Sequence, residues 1–157
     1  MTIEERGVLA ELFRETFEGL AEGATGTFFL EGRESLLISS REITALQAST
    51  RVNHQRATLG AHVCHATYYL SLFNAMVRGE EVQGDWEGSW KRQAFSDDEW
   101  KDVSADLEAE YRSAKRFFDR QEEVTDKWLF ADMVANIAHA AFHVGAIRAQ
   151  MPIVINS

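Results

Sequence analysis

The sequence predicts an all-α protein in which four long helices form a bundle, with an extra short helix or loop segment after the first helix. Apolar residues recur at helical spacing in four long segments, and the period-two alternation of strands is almost absent. Only one of the 157 residues is a proline, the residue that most strongly interrupts helices. With 45% hydrophobic and 26% charged residues, the composition is that of a single domain spanning residues 1–157.

The first helix is predicted from its start signal. Thr2 and Glu5 have the Thr-x-x-Glu spacing of a capping box. Apolar residues at helical spacing follow to about Glu22, and we expect the helix to stop at Gly23 or Gly26.

The next two segments are less regular. Gly23–Glu34 contains three glycines and the apolar run Thr27–Leu30, which fits either a short strand or an apolar loop, and we favour the loop. Ser35–Ser49 predicts a second, shorter helix that its Ser and Thr residues weaken.

The second long helix is predicted to lie in the core. Thr58–Val77 contains no Asp, Glu, Lys or Arg, so we expect other helices to wrap it. Gly79 ends the helix, and Gly84–Trp90 follows as a Gly/Trp connection whose rings are expected to cover one end of the bundle.

Two further helices complete the prediction. Ser96 and Glu99 form a second capping box at the start of an amphipathic helix that continues to about Gln121. Asp126 begins the last helix, which we expect to end near Pro152.

Charge and cysteine content narrow the class of protein. The 25 acidic and 16 basic residues give a net charge of −9, which argues against nucleic-acid partners. The one cysteine, Cys64, cannot form a disulfide within the chain, and we interpret it as a small buried hydrophobe rather than a nucleophile. Residues 1–16 lack the pattern of a signal peptide. We therefore expect a reduced, cytoplasmic protein.

The segment Leu129–Ile147 is long and apolar enough to be weighed as a membrane span. It contains Asp132, Asn136, His139 and His143, which are costly in lipid. We therefore expect a helix buried in a soluble bundle, and no membrane partner.

Four of the five histidines lie in the two charge-poor helices, as the pairs His62/His65 and His139/His143. Residues at i and i+4 are about 40° apart on a helix, so the last pair can reach a common point, and the i,i+3 pair is about 60° apart. If the two helices are neighbours, three or four imidazoles converge, and imidazole is a usual ligand of Zn, Ni or Fe. The alternative is that each histidine is a core residue with its own hydrogen bonds.

The sequence lacks the motifs of several other kinds of catalytic and cofactor site. The pair His139 and His143 lacks the Glu that follows the first histidine in zincin proteases. No Glu-x-x-His, Cys-x-x-Cys, Gly-x-Ser-x-Gly, P-loop or dinucleotide fingerprint occurs in the sequence.

Two segments carry a resemblance to a known family. They are Thr58–Leu70, with its Thr-Leu-Gly-Ala-His-Val-Cys-His start, and Asn136–Arg148, with the pattern His-x-Ala-Phe-His-x-Gly-x-Ile-Arg. Together they resemble the DinB/YfiT-like superfamily of metal-dependent four-helix proteins. The pairs Asp85-Trp86 and Ser89-Trp90 are similar to one branch of it, and the resemblance covers essentially the whole chain in element order.

The resemblance implies a DinB-like four-helix bundle that binds a divalent cation (Zn, Ni, Fe or Mn) through three histidines. His139 and His143 match the family's last-helix pair. The first ligand of the family commonly follows a helix-starting Ser or Thr by seven residues, which leads from Thr58 to His65. We therefore choose His65 over His62. His62 remains an alternative or additional ligand, a partner of a ligand, or a core histidine.

Other side chains near the histidines can support such a site. Asp132 and Asn136 share the His139 side of the last helix. Either can orient an imidazole, and Asp132 is a weak candidate for a catalytic base, the alternative being an acid that the helix dipole favours. Aromatic residues are expected in the core or a pocket wall, and these are Tyr68, Tyr69, Trp128 and Phe142.

Characterised relatives in the superfamily include transferases and isomerases that use low-molecular-weight thiols such as bacillithiol and mycothiol. The resemblance thus implies a metal-dependent thiol S-transferase acting on a small electrophile, or else a hydrolase. The alternatives are a non-catalytic metal-binding or stress-response bundle protein, and a helical interaction module with structural histidines.

A homodimer is predicted from the last helix, which carries apolar residues on two sides. Ala135, Phe142 and Ala146 lie beside the histidines, and opposite them lie Ile137, Ala141 and Val144. A four-helix bundle covers one face of each helix. The N-terminal segments or a second subunit must therefore cover the other.

Overall fold

Every regular element that the structure describes is a helix. The computed structural model describes residues 1–20, 23, 28–30, 34–52 and 57–156. The elements, in chain order, are α1 (Ile3–Glu18), α2 (Leu36–Glu42), α3 (Ala45–Ser49), α4 (Leu59–Val77), a 3₁₀ turn (Gly88–Trp90), α5 (Asp97–Phe118) and α6 (Lys127–Ile155). The all-α prediction is confirmed.

The four long helices form a ring around the core. Helix α4 packs against α5 and α6, and α1 packs against the same two helices, so that α1 and α4 lie opposite each other. The rings of Phe13 on α1 and Phe118 on α5 stack with their centroids 4.1 Å apart. Phe13 is fully buried and Phe118 is 1% exposed. This aromatic stack joins α1 to α5 on the side of the bundle away from the histidines.

Both predicted capping boxes are present. Thr2 and Ser96 each accept a hydrogen bond from the backbone N–H of a glutamate three residues later, and that glutamate accepts from the cap residue in return. The predicted end of the first helix was wrong. Helix α1 ends at Glu18 rather than near Glu22, because Gly19 has φ +80°, which lies in the left-handed region that ends helices.

The prediction of one helix over Ser35–Ser49 was also wrong, because the structure has two. Ile43 is extended, with φ −101° and ψ 142°, and it separates α2 from α3. Thr44 then caps α3 through a capping box with Gln47. This Thr-x-x-Gln spacing is visible in the sequence and is the signal that a second start occurs there.

Of the stretch Gly23–Glu34, only Gly23, Phe28–Leu30 and Glu34 are among the described residues. Phe28–Leu30 is not a strand. The backbone N–H groups of Phe28, Phe29 and Leu30 donate to the carboxylate of Glu15, at 2.7–2.8 Å. Burial acts to raise the pKa of Glu15, but these three hydrogen bonds hold it below its ordinary value. The favoured loop fits these residues, and the rest of the stretch lies outside the described part.

The last two helices differ from the prediction at their ends. Helix α5 ends at Phe118 instead of near Gln121, and α6 continues through Pro152 to Ile155. Pro152 lacks the N–H for an i→i−4 hydrogen bond and its ring crowds the carbonyl four residues earlier, but only three residues of the helix follow it. Within the described residues, α6 is the one helix long and apolar enough to cross a membrane, and 33% of its most apolar window is buried. The prediction of a soluble, cytoplasmic protein therefore stays a prediction.

A close contact at Gly60 sets the start of α4 against the segment that precedes α5. A Cβ added at Gly60 would lie 2.2 Å from the ring of Phe95, so this position needs glycine. Thr58 adds two hydrogen bonds to the same segment, because its N–H donates to the side chain of Gln93 and its hydroxyl donates to the Gln93 carbonyl. The 3₁₀ turn just before Gln93 is thereby held beside α4.

We expect Gly60→Ala to destabilise the protein by about 1–3 kcal/mol, because the buried Phe95 ring must move. The matched control is Gly7→Ala on α1, where an added Cβ meets nothing within 4 Å. This control should stabilise the protein by about 0.5–1 kcal/mol, because alanine is the better helix former. Urea unfolding of both variants measures the difference. Equal effects of the two substitutions would contradict the close contact.

The outer face of α6 is apolar and uncovered in the monomer. Helix α6 packs against α1, α2 and α4, so N-terminal segments do cover part of it. One stripe stays exposed, and it consists of Ala131, Val134, Ala138, Phe142, Gly145 and Ala149. This stripe differs from the opposite face named in the sequence analysis, since Val144 there is buried.

The homodimer stays a prediction, and the exposed stripe gives it a test. We expect a dimer at micromolar concentration in sedimentation velocity, because burial of the stripe against its copy removes apolar surface from water. Ala138→Glu should give a monomer, since it places a charge in that contact. Ala109→Glu, on the exposed face of α5, should leave the dimer intact. A monomeric wild-type protein would leave the stripe without this partner.

Candidate metal centre

The helices α4 and α6 bring together the three histidines chosen as ligands. One ring nitrogen from each of His65, His139 and His143 lies within 4.8 Å of the others. His65 and His143 are buried, and His139 is half-buried. Three imidazoles at this spacing can hold one metal ion.

His62 also belongs to the cluster but takes a different position. Its Nδ1 lies 3.0 Å from Nδ1 of His143, on the side of that ring away from His139. The Nε2 of His143 in turn lies 3.2 Å from Nε2 of His139. Of the open alternatives for His62, the geometry is that of a partner of His143, one layer behind the three grouped histidines.

The tautomer of His65 follows from its hydrogen bonds. Its Nδ1 lies 2.6 Å from the hydroxyl of Ser89. That hydroxyl donates its only hydrogen to the carbonyl of Trp86, at 2.7 Å. Ser89 must therefore accept from Nδ1–H of His65. This leaves Nε2 of His65 with a free lone pair, as a metal ligand requires.

The tautomer of His143 can be inferred from its neighbours in the same way. If its Nε2 is to offer a lone pair toward His65 and His139, its Nδ1 must carry the proton. That proton is then donated to Nδ1 of His62, at 3.0 Å. His62 can thus act on His143 as Ser89 acts on His65.

Burial keeps the cluster uncharged. Desolvation and, after it, the neighbouring His65 lower the pKa of His62 and of His139 to about 4. Desolvation and the other three imidazoles lower the pKa of His143 to about 2. The pKa of His65 is also lowered by desolvation. At neutral pH the four rings are neutral, the protonation state in which imidazole binds metals.

Aromatic rings enclose the histidines. The ring of His65 stacks on Trp90, with centroids 4.0 Å apart, and the ring of His139 stacks on Tyr69 at 3.9 Å. Trp86 lies 6.2 Å from His65. The Gly/Trp connection was expected to cover one end of the bundle, and its two Trp rings lie against His65.

The shape of that connection depends on Asp85 and Gly88. The Asp85 carboxylate accepts from the N–H of Gly88 at 2.8 Å, and the Asp85 N–H donates to the hydroxyl of Tyr68. A Cβ at Gly88 would lie 2.0 Å from the Asp85 carboxylate. Sequence reasoning noted this motif as part of the resemblance but did not find the contact that it serves, the hydrogen bond that Ser89 accepts from His65.

A pocket of about 410 Å³ opens beside the cluster. Its walls come from the end of α4, the segment that follows it and the first half of α6, and the lining residues are Tyr69, Leu72, Phe73, Met76, Glu80, Val82, Gly84, Trp86, Asp132 and Asn136. Tyr69 separates the pocket from His139, because its ring both lines the pocket and stacks on that histidine.

Asp132 and Asn136 lie in the pocket wall instead of against an imidazole. Asp132 precedes His139 by seven residues, about 10 Å along the helix. Among the described residues no hydrogen bond joins its carboxylate to a histidine. Asn136 donates from Nδ2 to the backbone carbonyl of Asp132 at 2.8 Å. Burial and then Asp126 raise the pKa of Asp132 above its ordinary value.

Two aromatic residues are not where they were expected. Trp128 is 70% exposed at the start of α6, and Phe142 is 65% exposed, because both project from the outer side of α6. Neither lines the pocket. Tyr69 does line it, as expected. Burial raises the pKa of the Cys64 thiol to about 11, which keeps it protonated and unreactive at neutral pH.

Comparison with protein-family models, with curated proteins and with solved structures finds no match for this chain. The site must therefore be argued from its own geometry. Within the described residues, that geometry gives an all-helical protein with three histidines close enough together to hold a metal ion.

Proposed function

We propose that this protein binds one divalent metal ion through His65, His139 and His143 and uses it as a DinB-like enzyme that transfers a low-molecular-weight thiol to a small electrophile. The observation that carries the metal site is the approach of three ring nitrogens to within 4.8 Å of one another. The thiol reaction rests on the family resemblance of the sequence.

The residues present fit a metal ion. Three imidazoles are the ligand set of several zinc enzymes, which keep a further position open. The ring of His65 has its lone pair at Nε2 because Ser89 holds its Nδ1–H. His62 can accept from His143 in the same way. A histidine ligand binds a metal more tightly when its other ring nitrogen donates its N–H to such a partner, because this hydrogen bond fixes the tautomer and the ring orientation.

The charge of the site favours an anion as the remaining ligand. The three histidines are neutral, and among the described residues no carboxylate belongs to the group that would offset the charge of a divalent ion. A divalent ion held by these histidines would lower the pKa of a bound water or thiol and so supply a nucleophile at neutral pH.

The chain's own residues orient the reactants. Ser89 and His62 keep the lone pairs of His65 and His143 directed into the cluster. Trp90 and Tyr69, stacked on His65 and His139, exclude water from two sides. The pocket beyond Tyr69 is then the place for the electrophile.

The first test is metal binding. Tag-free protein offered Zn, Ni, Mn and Fe should retain about one ion per chain in mass spectrometry. In competition with a chromophoric chelator, His62→Ala should weaken binding by about 10–100-fold, as for other partners of ligands, and His65→Ala should weaken it more. Circular dichroism confirms that each variant is folded.

A metal-free protein would refute the site. The reverse order of the two variants would show that His62 is the ligand from α4. The first result would refute the metal site itself, whereas the second would refute only the choice of His65 over His62.

One observation favours a second candidate, a non-catalytic metal-binding protein. In the described part of the chain, the hydrogen bonds of the four histidines go to one another and to Ser89. Within the described ranges, no carboxylate is hydrogen-bonded to these histidines as a general base would be. Metal binding without turnover is what this candidate requires.

The second test is turnover. Thiols from a panel of bacillithiol, mycothiol, glutathione and cysteine are offered with monobromobimane, whose C–Br bond breaks as the C–S bond forms, releasing bromide and the thiol proton. The rate should exceed the uncatalysed rate, depend on added divalent metal and be lost in His143→Ala. His139→Ala, at a half-buried position, repeats the test with less risk to folding.

Metal-bound protein without turnover across the panel would leave the non-catalytic candidate. Equal rates in wild type and in His143→Ala would show that the rate arises elsewhere than at this site.

A further inference from the structure

The charged side chains that line the pocket beside the histidines are acidic. Among the residues that the structure describes, its lining includes two carboxylates and no Lys or Arg. Glu80 is paired with Arg78, at 2.6 Å. Asp132 has no ion-pair partner among the described residues, so its charge faces the pocket without an opposing cation.

The polar groups beside Asp132 can accept hydrogen bonds. Asn136 is 4% exposed and lines the pocket. Its Nδ2 donates one of its two hydrogens to the backbone carbonyl of Asp132, so it can offer a ligand its carbonyl oxygen, an acceptor, and its second N–H. The hydroxyl of Tyr69 lies near enough for Asp132, after burial, to raise the pKa of that hydroxyl.

The remaining walls suit an apolar body. Leu72, Phe73, Met76 and Val82 line one part of the pocket, and Tyr69 and Trp86 line another, with their ring centroids 5.6 Å apart. Aromatic faces attract cations as well as apolar groups. A volume of about 410 Å³ is within the range of pockets that bind small molecules.

We propose that this pocket binds a small cationic amine, with its ammonium group against Asp132 and Asn136 and its apolar body against Leu72 and Met76. The binding requires no metal. The assignment of this amine as the electrophilic substrate, with the ammonium group remote from the reacting carbon, rests on the function proposed above.

The proposal separates the two substrates of that reaction. A thiol that carries carboxylates would meet the charge of Asp132 with no cation in the pocket lining to offset it. The pocket therefore receives the electrophile, and the thiol approaches the histidines from outside it.

The experiment uses three probes with the same ring and different head groups: phenethylamine, 2-phenylethanol and 3-phenylpropionate. Binding to the full-length, metal-free protein is measured by calorimetry, and the indole N–H signal of Trp86, assigned through Trp86→Phe, reports on the site by NMR. Phenethylamine should bind about tenfold or more tightly than 3-phenylpropionate, with 2-phenylethanol between them. Asp132→Asn should reduce this preference to about twofold or less.

Glu81→Gln is the control, because it removes one negative charge from the exposed segment after α4 without touching the pocket lining. It should leave the preference unchanged. Equal or tighter binding of 3-phenylpropionate, or an unchanged preference in Asp132→Asn, would overturn the proposal. Amine binding without metal-dependent turnover would refute the proposed reaction and leave the pocket standing. Metal-dependent turnover with no head-group preference in binding would refute the amine pocket and leave the proposed reaction standing.

Discussion

The arrangement of the site depends on the burial of four uncharged imidazoles between α4 and α6. Each ring has one N–H to donate and one lone pair to satisfy, and a buried polar group without a partner costs about 1–3 kcal/mol. The chain meets part of this demand through the contacts His62 to His143, His143 to His139, and His65 to Ser89. A single cation at the centre would serve three of the lone pairs at once.

The segment between α4 and α5 holds the cluster from outside the bundle. Its Ser89 fixes one ring, its Trp90 stacks on the same ring, and it is tied to the start of α4 through Thr58 and Gly60. The Asp85 carboxylate and the close approach at Gly88 set its conformation. An apparently irregular connection is thus as much a part of the site as the two helices.

How much was predictable differs from element to element. The long helices and their capping boxes follow from local spacing, and so does the shared face of His139 and His143, because helical periodicity fixes the relative positions of residues on one helix. The choice of His65 came from the family resemblance, and its approach to the other two histidines depends on α4 packing against α6. The role of Ser89 could not be predicted. It depends on a hydrogen bond between side chains that are 24 residues apart in the sequence, and on the direction in which the Ser89 hydroxyl points. Trp128 and Phe142 were misplaced because periodicity alone does not say which of two apolar faces is buried.

The end of α1 and the break at Ile43 were missed for a different reason. Both are set by backbone conformation at one residue, the positive φ of Gly19 and the extended form of Ile43. The DinB-like fold, the metal and the dimer depend on partners or relatives outside the chain, so the sequence and this structure give them only as proposals.

The aromatic stack between Phe13 and Phe118 has a consequence for how this protein can change over evolutionary time. It lies on α1 and α5, whereas the grouped histidines and most of the pocket lie on α4, α6 and the segment after α4. Stability and chemistry therefore draw on largely different positions. Substitutions on the outer face of α5 can alter surface charge, solubility or contacts with other molecules while the histidine cluster stays as it is. The pocket lining can diversify without loss of the aromatic core at positions other than Phe73, whose ring packs against Phe117 and Phe118.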